Sequence, residues 1–71
     1  MKYIITDKGE VRTGGGFHVH LAEDCKGKVV AAGHCRIDGT AVEVWGESIG
    51  YNIKSKPEDA AVIAASLHTS V

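Results

Sequence analysis

The chain opens on an apolar, β-branched stretch, Lys2 to Thr6, closed by the turn sequence Asp7-Lys8-Gly9. Glu10 to Thr13 then reads as a returning strand, so the first thirteen residues predict a hairpin. Gly14-Gly15-Gly16 follows, a run that neither a helix nor a strand interior favours. Residues 17–26 carry two patterns at once. Phe17, Val19 and Leu21 alternate with His18 and His20 as in a strand, whereas Phe17 and Leu21 at i and i+4, with Gly27 as a stop, also suit two turns of helix. Lys28 to Ala32 is apolar enough for a buried strand and continues through Gly33-His34-Cys35-Arg36-Ile37. Asp38-Gly39 is a hairpin dipeptide, and Ala41 to Trp45 is its partner strand.

A loop from Glu47 to Lys54 leads into Ser55-Lys56-Pro57-Glu58, which reads as a capping box with proline in the first turn. The helix it starts runs to about Leu67, with Ala60, Ile63, Ala64 and Leu67 as one apolar stripe. These elements predict a single α+β domain over residues 1–71: a small sheet of about four strands with a C-terminal helix packed on it.

Composition narrows the function. A hydrophobic fraction of 44% and a charged fraction of 24% are those of a folded protein. A formal charge of −1, with the eight basic residues scattered, lacks the basic surface that nucleic-acid binding needs. No apolar run approaches the roughly 20 residues that span a bilayer, and the start is too short for a signal peptide, so a cytoplasmic location is expected with no membrane partner. In that reducing setting Cys25 and Cys35 are expected as free thiols. Dimerisation is open to so small a domain and would add to a thin stability margin.

The chemistry-bearing residues are few. A histidine after a triple glycine offers a lone pair near neutral pH. Ser48, between Gly46 and Gly50, sits where backbone N–H groups can converge on an anion, and Lys2, Arg12 and Arg36 are available cations. Gly46-Glu47-Ser48-Ile49-Gly50 also matches the nucleophile elbow of the α/β-hydrolases, but 71 residues cannot build that fold or its triad. His18, His20, Cys25, His34 and Cys35 are of zinc-ligand type. Their spacing lacks a paired Cys-x2-Cys, and the neighbours His34 and Cys35 would point to opposite faces of a strand.

Four segments in order resemble the Janus/Ocnus protein-histidine phosphatases. Lys2-Tyr3-Ile4-Ile5 is similar to that family's opening strand, and Val11-Arg12 with Phe17-His18 to its Val-Arg-Gly … Tyr-His segment. Gly33-His34-Cys35-Arg36-Ile37 is similar to its Gly-Gly-Gly-Arg-Ile run, and residues 42–51 to its Ile-x-Val-Tyr-Gly-Tyr-Ser signature. The resemblance covers roughly residues 1–66. It implies hydrolysis of a phosphoryl group from phosphohistidine or a related phosphoramidate, without metal or cofactor, on a phosphorylated protein or small-molecule substrate. His18 would act as nucleophile or general base, and Lys2, Ser48 and the N–H groups of Val19 and Gly50 would hold phosphoryl oxygens. Arg12 and Arg36 would organise those groups or widen the positive field. A short helix after His18 is also implied. A non-catalytic phosphate-binding or interaction domain of the same fold is the alternative. The chain departs from the family pattern at His34 and Cys35, which replace glycines, and at Glu47, which replaces a tyrosine.

Overall fold

The computed structural model describes residues 1–68. Four strands form one antiparallel sheet: β1 (Lys2–Thr6), β2 (Val11–Gly14), β3 (Val29–Asp38) and β4 (Ala41–Trp45), in the order β2-β1-β3-β4. A four-residue helix, α1 (His18–Leu21), lies between β2 and β3, and a long helix, α2 (Glu58–His68), follows the sheet. The fold is the small α+β arrangement expected from the pattern of the chain. One element was not anticipated. The loop after β4 contains a miniature hairpin, β5 (Glu47–Ser48) with β6 (Ile53–Lys54), closed by a turn in which Asn52 N–H donates to the Ile49 carbonyl at 3.2 Å. Asn52 takes a φ of 56°, a left-handed conformation that asparagine tolerates better than most residues.

Strand alternation divides the sheet into two chemically different faces. Tyr3, Ile5, Ala31 and Cys35 form a buried cluster with Ile63 of α2, and Val11, Ile37, Val42 and Val44 pack around it. The apolar stripe of α2 is narrower than the sequence suggests. Ile63 is fully buried, Ala60 and Ala64 are half-buried, and Leu67 is 42% exposed, so the helix is seated through its small residues. The start of α2 also differs. The carboxylate that reaches back to a backbone N–H is Asp59, which accepts from Lys56 N–H at 3.1 Å, one residue along from the expected Ser55–Glu58 pair. The register moves because Asp59 is also engaged in the core, where its Oδ2 accepts the Tyr3 hydroxyl at 2.6 Å. Burial first, and then the Asp59 carboxylate, push the Tyr3 phenol far above its usual range, so the tyrosine stays neutral and donates.

A second polar clip ties the hairpin to the chain entering β3. Glu10 accepts the Lys26 N–H at 2.9 Å, the Gly27 N–H at 2.7 Å and the Thr6 hydroxyl at 2.8 Å. The two backbone donors, with the hydroxyl, hold its carboxyl down at about 2 from an ordinary 4.5. A carboxyl depressed on folding contributes stability that is whole above its unfolded value and lost as the pH falls toward its folded value. Urea titrations of the wild type should therefore lose midpoint between about pH 5 and about pH 2.5, and Glu10→Gln should lose less over the same window. Parallel curves for the two proteins would show that the clip contributes nothing to acid sensitivity.

Candidate functional site

The opposite face of the sheet carries the polar side chains. Lys2, His34 and Trp45 are cross-strand partners in adjacent strands, so they form one row across β1, β3 and β4. The short helix α1 packs against β1 and β2, with Leu21 over Gly14, beside this row. From the other side the β5–β6 hairpin closes toward β3. Between them is a cavity of about 580 Å³ lined from all three directions. Lys2 and His34 come from the sheet; Phe17, His18 and Val19 come from the start of α1; and residues 47–51 come from β5 and its turn.

His18 is buried, 8% exposed, and its Nε2 lies 2.8 Å from the Gly33 carbonyl oxygen. A carbonyl can only accept, so Nε2 carries a proton, and in the neutral ring the lone pair is on Nδ1. That is the arrangement a nucleophile or base requires: one nitrogen anchored, the other available. Packing, not the anchor, explains why Gly33 is a glycine. A Cβ there would come within 2.9 Å of the Ser55 Cβ and 3.0 Å of the Trp45 carbonyl oxygen, so only a bare backbone fits between β4 and the chain entering α2.

Ser48 faces the cavity from β5 and is completely buried, and its Oγ is the one buried side-chain oxygen or nitrogen without a hydrogen-bond partner among the described residues. Burying an unpaired hydroxyl costs about 1–3 kcal/mol, so the site holds a donor waiting for an acceptor. Lys2 places its Nζ 5.4 Å from the centre of the Phe17 ring, which steadies a cation at the rim. Glu47, the carboxylate beside the serine, also lines the cavity, but it is exposed. Strand alternation sends its side chain to the face opposite Ser48, alongside its cross-strand neighbour Lys54.

The cavity thus gathers Lys2, His18, Val19, Ser48 and Gly50, five positions separated by up to 48 residues in the chain. Arg12 and Arg36 stand apart from it. Arg12 pairs with Asp24 at 3.6 Å, and Arg36 with Asp38 at 3.8 Å along its own strand, both on exposed surface. Family models, curated proteins and solved structures were all compared with this chain, and none matches it.

The two thiols take no part in the cavity. Cys35 lies in the core on the other face, and burial pushes both the Cys35 and the Cys25 thiol up, away from the thiolate that would react. Among the described residues no three His, Cys, Asp or Glu side chains come together as a metal site. None of their helices is long and apolar enough to cross a membrane. Sequence reasoning missed two contributors. His34 enters the cavity beside His18, and Phe17 carries the cation of Lys2. The signal for His34 was present in the alternation, since a core Cys35 forces its neighbour onto the other face.

Proposed function

We propose that this domain binds a phosphoryl group and hydrolyses it from a nitrogen, acting on phosphohistidine or a related phosphoramidate. The observation that carries the reading is the buried, partnerless hydroxyl of Ser48 sharing one cavity with Lys2 and with a histidine whose Nε2–H donates to the Gly33 carbonyl. An anion with several acceptor oxygens satisfies the hydroxyl and the ammonium together. His18 Nδ1 then stands as the base for an attacking water, or as the attacking atom itself. Lys2, Ser48 and the backbone N–H groups of Val19 and Gly50 hold the oxygens on which charge develops. The resemblance in four ordered segments to the protein-histidine phosphatases supports the same assignment. A phosphorylated protein or small phosphoramidate is the corresponding partner.

Release of inorganic phosphate from a phosphohistidine peptide, without added metal, tests the activity. Turnover supports it, whereas phosphate binding by a folded protein that releases nothing would leave a recognition domain. Ser48→Ala gives an independent check, because its two effects differ in sign. Removing an unpaired buried hydroxyl should leave stability unchanged or raise it by up to about 1 kcal/mol. Affinity for phosphate should drop by about 1 kcal/mol, roughly fivefold, since a ligand hydrogen bond is gone. Thermal melts with and without phosphate read both at once, and a variant equal to wild type in both would remove Ser48 from the site.

A further inference from the structure

His34 occupies a place that the four-segment resemblance leaves to a glycine. Three contacts define its position. Its ring stacks on Trp45 with centroids 6.2 Å apart and planes 19° from parallel. Gly46, at φ 73°, lies so close that a Cβ there would come within 2.8 Å of the His34 Cδ2. On its remaining side the ring meets His18 edge to face, with centroids 6.0 Å apart. His34 lines the same cavity, where a ring N–H can donate a hydrogen bond of about 2.8 Å to an oxygen of a tetrahedral anion, while the single N–H of His18 is already given to Gly33.

We infer that His34 is a second phosphoryl-binding residue, one that takes up a proton when a dianion binds. The inference rests on the phosphoryl-binding reading above and adds to it the form of the ligand: a doubly charged, multi-oxygen anion rather than a carboxylate. The charge arithmetic supports it. Lys2, the cross-strand partner of His34 on β1, is the lasting cation at the cavity, and one ammonium does not neutralise a dianion. The other groups around His34 are His18 from α1, Glu47 and Tyr51 from β5 and its turn, and, further along the same face, Arg36 paired with Asp38 and set opposite Glu43 of β4. His18 has one nitrogen engaged with Gly33 and needs the other unprotonated for its part in the chemistry. His34 has no such obligation. Imidazole titrates near neutral pH, so the second positive charge can be recruited from solvent as the anion arrives. With the empty site, a charged His34 would face Lys2 and repel it; with an anion between them the same charge is stabilising.

Sulfate is the probe, because it remains a dianion across the working range and any pH dependence then belongs to the protein. Wild type should bind sulfate at least about fivefold more tightly near pH 6 than near pH 8, as expected when one proton, held about one unit more tightly in the complex, accompanies binding. His34→Gln should flatten that ratio to under about threefold while leaving the weaker, high-pH affinity in place. His18→Asn should retain the ratio. The unmodified protein supplies a second readout that does not depend on any variant folding. The His34 ring signals, followed by NMR against pH, should titrate about one unit higher with saturating sulfate than without. A His34→Gln protein with the full wild-type ratio, or a His34 titration that sulfate does not move, overturns the inference and leaves the phosphoryl-binding reading intact. Absence of sulfate binding at both pH values would instead remove the anion site itself, and this inference with it.

Discussion

Replacing His18 with alanine should reduce phosphate release by about 10³-fold or more, against a change of less than about threefold for His20→Ala. The size follows from what is removed. A positioned base contributes roughly 10²–10⁴ to a rate, and a nucleophile that forms a covalent intermediate contributes more. The contrast with His20 makes the result specific. The two histidines are two residues apart on α1, but His18 is buried and anchored to Gly33, whereas His20 is exposed and its ring meets Phe17 edge to face. The substitution also removes the His18–Gly33 hydrogen bond, so a stability loss of up to about 1 kcal/mol should accompany it. Circular dichroism and a urea midpoint would separate that loss from the loss of rate. Equal activities for wild type and His18→Ala would end the assignment of His18, whatever else the cavity binds.

Asp59→Ala should be the most destabilising single change outside the apolar core, at about 2–4 kcal/mol. The carboxylate holds two donors, the Tyr3 hydroxyl at 2.6 Å and the Lys56 N–H at 3.1 Å, and both lose their acceptor together. A buried hydroxyl left unpaired costs about 1–3 kcal/mol, and a lost helix cap about 1 kcal/mol more. Against a total of roughly 4–10 kcal/mol expected for a chain of this size, that loss decides whether the domain is folded at 37 °C. Tyr3→Phe should cost about half as much, since Asp59 retains its backbone donor. In a double-mutant cycle the pair should be less damaging than the sum of the single changes, because each removes the same bond. Strict additivity would show that the two groups do not act through one another.

Much of the fold was legible because its elements are written locally. The β-branched start of β1, the Asp38-Gly39 turn between β3 and β4, and the proline and acidic residues opening α2 each announce themselves within a few residues. What escaped depends on partners far away in sequence or on elements too short to have a period. The four residues of α1 sit inside an alternating sequence that leaves strand and helix both open; the resemblance alone implied the helix, which Leu21 and His18 seat at Gly14 and Gly33. The two-residue strands of the β5–β6 hairpin show no repeat to detect. Asp59 looked like an ordinary first-turn acid, and only Tyr3, 56 residues away, reveals it as a core residue. The cavity was legible to a different degree. Lys2, His18, Val19, Ser48 and Gly50 were drawn together by resemblance to a family, not by any local pattern, and the orphaned state of Ser48 Oγ is a property of packing that no motif records.

Three consecutive residues of β3 serve three different compartments. The carbonyl of Gly33 anchors the histidine of α1, the ring of His34 enters the cavity, and the thiol of Cys35 fills the core beneath α2. The strand therefore works as a ruler whose zero is set by its pairing with β1 on one side and β4 on the other. Because side chains alternate, a shift of one residue against that ruler would bury an imidazole and hand the cavity a thiol, while composition and length stayed almost the same. Ancestral or engineered changes in this segment are thus constrained in kind more than in number. Exchanges of one side chain for another can be absorbed one compartment at a time, whereas a single inserted or deleted residue rewrites all three.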